Sequence, residues 1–136
     1  MRFLRVFAVV IAAVAAVATV AAAKDHVVVH EGLTFKPHEL SVSGDGDFLV
    51  QNLRWHSWGG AKAIASGTAV EQERPSHRNY DYPARVTLSD RTYCASLRRT
   101  VYNKIVAHIT GRSAGVFGGR TFGMLWTCAG TWRLIS

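Results

Sequence analysis

Carboxylates are scarce in this chain: nine Asp and Glu stand against sixteen Lys and Arg in 136 residues. Most of the nine fall in turn-like settings, where an aspartate is explained by hydrogen bonding to its own backbone. Glu71 and Glu73 share a face if their segment is a strand, but a solvated edge that discourages strand pairing explains them better than an acid/base couple does. There are only two cysteines, with no C-x-x-C and no histidine at ligand spacing, so a zinc site is not indicated. No G-x-S-x-G, S-x-x-K or H-E-x-x-H occurs, and no serine has a readable catalytic partner. No catalytic residue, metal ligand or cofactor is assigned. Proline occurs three times, twice within residues 71–83. Helical periodicity is missing beyond the N-terminus, and there is no repeat, low-complexity tract or linker.

What is present begins with an address. Arg2 and Arg5 precede an uncharged Ala/Val run that closes on Ala21-Ala22-Ala23 before Lys24. This basic, apolar, small-residue order predicts a helical secretory signal peptide over residues 1–23, cleaved after Ala23. The run is close to the ~18 residues that span a bilayer, yet alanine is weakly apolar and the small residues stand where a peptidase needs them. Membrane contact is therefore expected only before cleavage. No arginine pair precedes the run and no cysteine follows it, which argues against twin-arginine export and lipid attachment.

Removal of residues 1–23 leaves 113, enough for one domain over residues 24–136 with a single core. The net charge of +7 falls to +5 with the loss of Arg2 and Arg5. Such an excess favours solubility and loose attraction to anionic wall polymers or headgroups. An exported protein rarely meets nucleic acid, so that partner is not expected. Cys94 and Cys128 in an oxidising compartment predict one disulfide, closing a loop of about 35 residues worth roughly 3–4 kcal/mol.

Period-two alternation dominates the rest. Val27 and Val29 give a first strand, and Leu40 begins another after Gly32, residues 33–35 and Pro37. Residues 44–47, Gly-Asp-Gly-Asp, are turn chemistry. Residues 48–55 form a longer strand, apolar on both faces in its first half. Trp55, Trp58, Gly59 and Gly60 lead into small residues at alternate positions, Ala61, Ala63 and Ala65. A strand that bends at the glycines and returns with a flat face is expected there. The polar residues 71–83 read as a surface loop. Tyr82, Ala84, Val86 and Leu88 alternate with Arg85 and Thr87 as a half-buried strand, and Ser89-Asp90-Arg91 reads as a turn. Residues 100–110 and 120–128 supply further strands around a glycine-rich connection, and residues 132–135 a last one. The prediction is an all-β fold of about eight short strands, a single small β-sandwich or barrel-like domain.

Candidate contacts follow. Trp55 and Trp58, three apart, fall on opposite faces of a regular strand. Either both rings fill the interior against the alanine face, or Trp58 is exposed beside Arg54 and His56 as a stacking platform. Tyr80 and Tyr82, with Arg74, His77 and Arg78, give the 71–83 loop a paratope-like mixture of rings and cations. Arg98, Arg99, Lys104, Arg112 and Arg120 offer a basic side. The histidines are scattered: His26 and His30 would stand ~13 Å apart on a strand, too far to share a metal.

The stretch Leu-Arg-Trp-His-Ser-Trp-Gly-Gly-Ala-Lys-Ala, residues 53–63, resembles small exported proteins of high-GC Gram-positive (actinobacterial) bacteria. These share Leu-Arg-Trp-x-x-Trp-Gly-Gly-x-x-Ala, an alternating Ala/Gly strand and a later cysteine, matched here by Cys94. The resemblance implies a secreted all-β protein and carries no activity with it. The expectation is thus a small exported, non-enzymatic protein. It would bind an anionic wall polymer, a glycan or an extracellular protein through Arg54, Trp58, Tyr80 and Tyr82. The alternatives are a protease inhibitor acting through residues 71–83 and, third, a small secreted hydrolase.

Overall fold

The computed structural model describes residues 24–29, 32–42, 48–73, 76, 78–110 and 121–135. The expected leader, the expected turn at 44–47 and connection at 111–119, His30, Arg74, His77, Arg112 and Arg120 lie outside the described residues. Among the described residues nine strands follow in order: β1 His26–Val29, β2 Gly32–Thr34, β3 Leu40–Ser41, β4 Phe48–Ser57, β5 Ala63–Glu73, β6 Arg78–Cys94, β7 Arg99–Ile109, β8 Thr121–Trp126 and β9 Trp132–Ile135. They make one sheet, β2-β1-β7-β6-β5-β4-β3, with β8 on β7 and β9 on β8. The sheet is curled into a half-barrel, so of the two all-β forms expected the barrel-like one is found.

Alternation decides which side is wet. Tyr82, Ala84, Val86 and Leu88 of β6 are buried, while Asp81, Pro83 and Arg85 between them are exposed. Their partners follow suit: Leu88 faces Ala63 and Ile105, and Val86 faces Ala65 and Ala107, all buried. The core therefore lines the inside of the curl. Alanine on β5 leaves room there for larger side chains from across the sheet. Phe48 of β4 stacks on Phe122 of β8, centroids 4.2 Å apart, although three strands separate them in the sheet. That contact draws the two sides of the curl together.

Residues 71–73 and 78–83 are strand rather than the loop expected of them. Glu71–Glu73 end β5, Arg78–Pro83 begin β6, and the two arms pair in register from Glu73↔Arg78 onward. Polar composition and proline suggested a loop, but an arm with one wet face is polar for its own reason. Pro83 fits because its carbonyl accepts from Thr110 N–H at 2.8 Å, on the β7 side. A strand residue's N–H and C=O point the same way, so the missing donor would also face that side, just beyond the end of β7. Nor does the chain turn at Ser89-Asp90-Arg91: β6 runs through to Cys94, with Asp90 at φ 56°. Aspartate tolerates that left-handed conformation better than most residues. Cys94 and Cys128 are bonded, their Cα atoms 5.5 Å apart, tying the end of β6 to the β8–β9 turn.

Candidate functional site

Two extra residues in β4 shape the tryptophan segment. Its register with β5 slips once between Gln51 and Arg54 and again between Trp55 and Ser57. Asn52, at φ 57°, occupies the first bulge. The second slip reverses the alternation between them, so Trp55 and Trp58 lie on the same side, rings edge to face with centroids 4.6 Å apart. Both are half-buried against the core. The opposite-face expectation for a regular strand fails because the strand is not regular.

Both indoles are held by hydrogen bonds. Trp55 Nε1–H donates to Pro37 O at 2.8 Å, and Trp58 Nε1–H to Asp25 O at 3.2 Å. Gly59, at φ 84°, makes the bend, and its N–H donates to the Tyr102 hydroxyl at 2.9 Å. That hydroxyl donates in turn to Gly60 O at 2.8 Å. Burial is the largest cause raising the Tyr102 pKa above the ordinary tyrosine value. Asp25 is buried and accepts from Arg91 Nε and Nη2 at 2.8 and 3.0 Å. The hydrogen bond from Arg91 to Asp25 is the main cause raising the arginine's own pKa. The Trp-x-x-Trp-Gly-Gly segment is a structural corner that joins Asp25, β4 and β7. Phe35 caps it, 42 % exposed, edge-on to Trp58 at 5.5 Å, with Lys24 and Lys36 ammoniums 5.5 and 5.8 Å from its centroid.

The four sequence-predicted contacts do not meet on one surface. Trp58 belongs to the corner just described. Tyr82 is 8 % exposed on the inner face, and burial, with Glu71 and Tyr80, raises its pKa. Tyr80 shares that face farther out on the arm, 38 % exposed. Arg54 points to the other side of the sheet, in the open.

That outer side carries a feature no segment of sequence shows. Register aligns Arg54 of β4 with Ser66 of β5, Ser66 with Arg85 of β6, Arg85 with His108 of β7, and His108 with Thr121 of β8. All five are exposed. His56 Nε2 is 2.9 Å from Ser66 Oγ, and His108 Nδ1 is 3.0 Å from Thr121 Oγ1. Among the described residues neither Arg54 nor Arg85 has a carboxylate partner. The next row along the strands is Ile64, Thr87, Val106, Gly123 and Ile135, uncharged throughout. Ile135 lies over Gly123, where a Cβ would come within 2.6 Å of its Cγ1.

Elsewhere, a groove of about 480 Å³ is lined by Asp90, Thr92, Asn103, Leu125, Trp126, Thr127, Thr131 and Arg133. No group of three or more His, Cys, Asp or Glu among the described residues has metal-binding geometry. Comparisons with protein-family models, curated proteins and solved structures give no match.

Proposed function

We propose that this is a small exported, non-enzymatic protein that binds a component of the cell envelope or its surroundings on the outer face of the sheet. The observation that supports this reading is the in-register row of Arg54, Ser66, Arg85, His108 and Thr121, exposed and without carboxylates. Strand pairing fixes the backbone of every member, so the row is preorganised for a partner. The phenylalanine corner is the weaker surface, because both of its lysines already lie against the Phe35 ring. The disulfide fits an oxidising compartment. The leader-like N-terminus and the resemblance of residues 53–63 to actinobacterial exported proteins agree with export.

Binding is favoured over inhibition by the pairing of residues 71–73 with 78–80, since a bait loop must offer free backbone to a protease. Catalysis is less favoured because His56 and Ser66, though within hydrogen-bond reach, have no orienting acid among the described residues. Sedimentation of the purified protein with isolated cell-envelope material tests the reading. Wild type should co-sediment, and an Arg54→Glu/Arg85→Glu variant with an unchanged circular dichroism spectrum should stay in solution. Equal retention of both variants would refute the outer face as the site.

A further inference from the structure

We infer that the outer row is a track for one linear polyanion carrying repeated phosphates, which crosses the strands from Arg54 to Thr121. This rests on the binding role proposed above and names the class of ligand. Adjacent strands are ~4.8 Å apart, so five strands set out a line of about 19 Å, with the two guanidinium positions roughly 10 Å apart. A single phosphate engages one arginine; only an extended chain reaches both and His108.

The chemistry along the line alternates. Guanidinium groups present planar forks that pair with phosphate oxygens, and exposed Arg54 and Arg85 have no competing carboxylate among the described residues. Between and beyond them stand the hydroxyl–imidazole pairs His56–Ser66 and His108–Thr121, which can donate to further oxygens. The rows on either side, Ile64, Thr87, Val106 and Gly123 on one and Gln51, Thr68 and Pro83 on the other, carry no charge, so the track is one residue wide. It lies on the outside of a curl, where a flat bilayer would touch the crest alone. No Phe, Tyr or Trp stands in the row, whereas single-stranded nucleic acid is gripped largely by base stacking on such rings. A narrow, flexible, phosphate-bearing chain without bases is what this geometry fits.

The test uses the purified protein with long-chain inorganic polyphosphate as probe, by isothermal titration calorimetry. Orthophosphate, dextran sulfate, a neutral glucan and phosphatidylglycerol vesicles serve as comparators. Wild type should bind polyphosphate in preference to all four, more weakly as salt rises. Arg54→Glu/Arg85→Glu should weaken binding by about 10- to 30-fold. Arg98→Glu/Arg99→Glu changes the net charge equally at the exposed β6–β7 turn, and should alter affinity less than about threefold. Arg54→Lys/Arg85→Lys should recover most of the binding. Equal losses in the two charge-reversed variants would overturn the track in favour of overall charge. Tighter binding to vesicles, dextran sulfate or glucan would overturn the ligand class while leaving the outer-face role standing. A protein that binds envelope material through Arg54 and Arg85 but ignores polyphosphate would do the same. If envelope material is not bound at all, the underlying role fails first.

Discussion

Replacing Tyr102 by phenylalanine removes one oxygen from the tryptophan corner and leaves the ring in place. The side chain is fully buried, edge-on to Trp58 at 5.6 Å, so no cavity beyond the hydroxyl itself is created. Two hydrogen bonds are lost, from Gly59 N–H at 2.9 Å and to Gly60 O at 2.8 Å. A net hydrogen bond is worth about 1 kcal/mol, and the exposed glycines can turn to water, which avoids the larger penalty of buried unpaired groups. The expected cost is about 1–2 kcal/mol, or roughly 4–8 °C in Tm for about 110 residues. Urea unfolding followed by tryptophan emission measures it directly, with an unchanged m-value as the sign that only the native state has changed. The substitution also has a pH signature. Burial raises the Tyr102 pKa in the folded state, so the folded protein holds this proton more tightly than the unfolded chain. Its contribution is complete below the unfolded value of about 10 and is lost as pH rises through the folded value. Wild type should therefore lose stability relative to Tyr102→Phe above about pH 10, narrowing the gap. Tyr82, whose pKa is also raised, is common to both proteins and cancels in the difference. A cost below about 0.3 kcal/mol, or a gap that widens in alkali, would refute the role given to the hydroxyl.

The glycines of the corner should separate sharply. Gly59→Ala must place a Cβ at φ 84° and should cost about 1 kcal/mol or more, whereas Gly60→Ala meets nothing closer than Lys62 O at 3.7 Å and should be near neutral. Gly67→Ala would bring a Cβ within 2.7 Å of Gln51 O and should destabilise by about 2–3 kcal/mol in the same urea assay. Arg91→Ala should lower Tm more than Asp25→Asn. The first strands a buried carboxylate, while the second releases an arginine already 43 % exposed to solvent. Reducing the Cys94–Cys128 bond, or replacing both cysteines by alanine, should lower unfolding free energy by about 3–4 kcal/mol, read by denaturant unfolding with and without reductant.

Much of the fold could be read from alternation alone. The series Tyr82, Ala84, Val86, Leu88 gave the inner face of β6, and the Trp-Gly-Gly bend with its alanines gave the β4–β5 hairpin. Where reading failed, the cause was local backbone geometry that side-chain pattern does not encode. A β-bulge adds one residue without glycine or proline to mark it. Asn52 and Asp90, residue types that tolerate positive φ, were the available signals, and both were open to reading as ordinary polar positions. The hairpin arm was misread because proline and charge suit an arm with a wet face as well as a loop. On sequence Tyr82 suits that loop and the strand alike, and burial decides for the strand.

The outer row was beyond sequence reading for a different reason. Positions 54, 66, 85, 108 and 121 have no common spacing; they meet only because four strand registers bring them into line. One of those registers depends on the first bulge of β4. Were the same sequence to run on as a regular strand, with no bulge at Asn52, every later side chain of β4 would change face, sending Arg54 inward and Leu53 and Trp55 out. The same irregularity that buries the indole of Trp55 therefore places the guanidinium of Arg54 at the head of the basic row. Replacing Asn52 by valine, which disfavours the φ of 57° that the bulge needs, should disturb both at once: Trp55 emission should shift to the red and polyphosphate affinity should fall even though no cation of the row has been removed. Loss of one effect without the other would show that corner and row are built independently, and would break the connection between this motif and the surface assigned to binding.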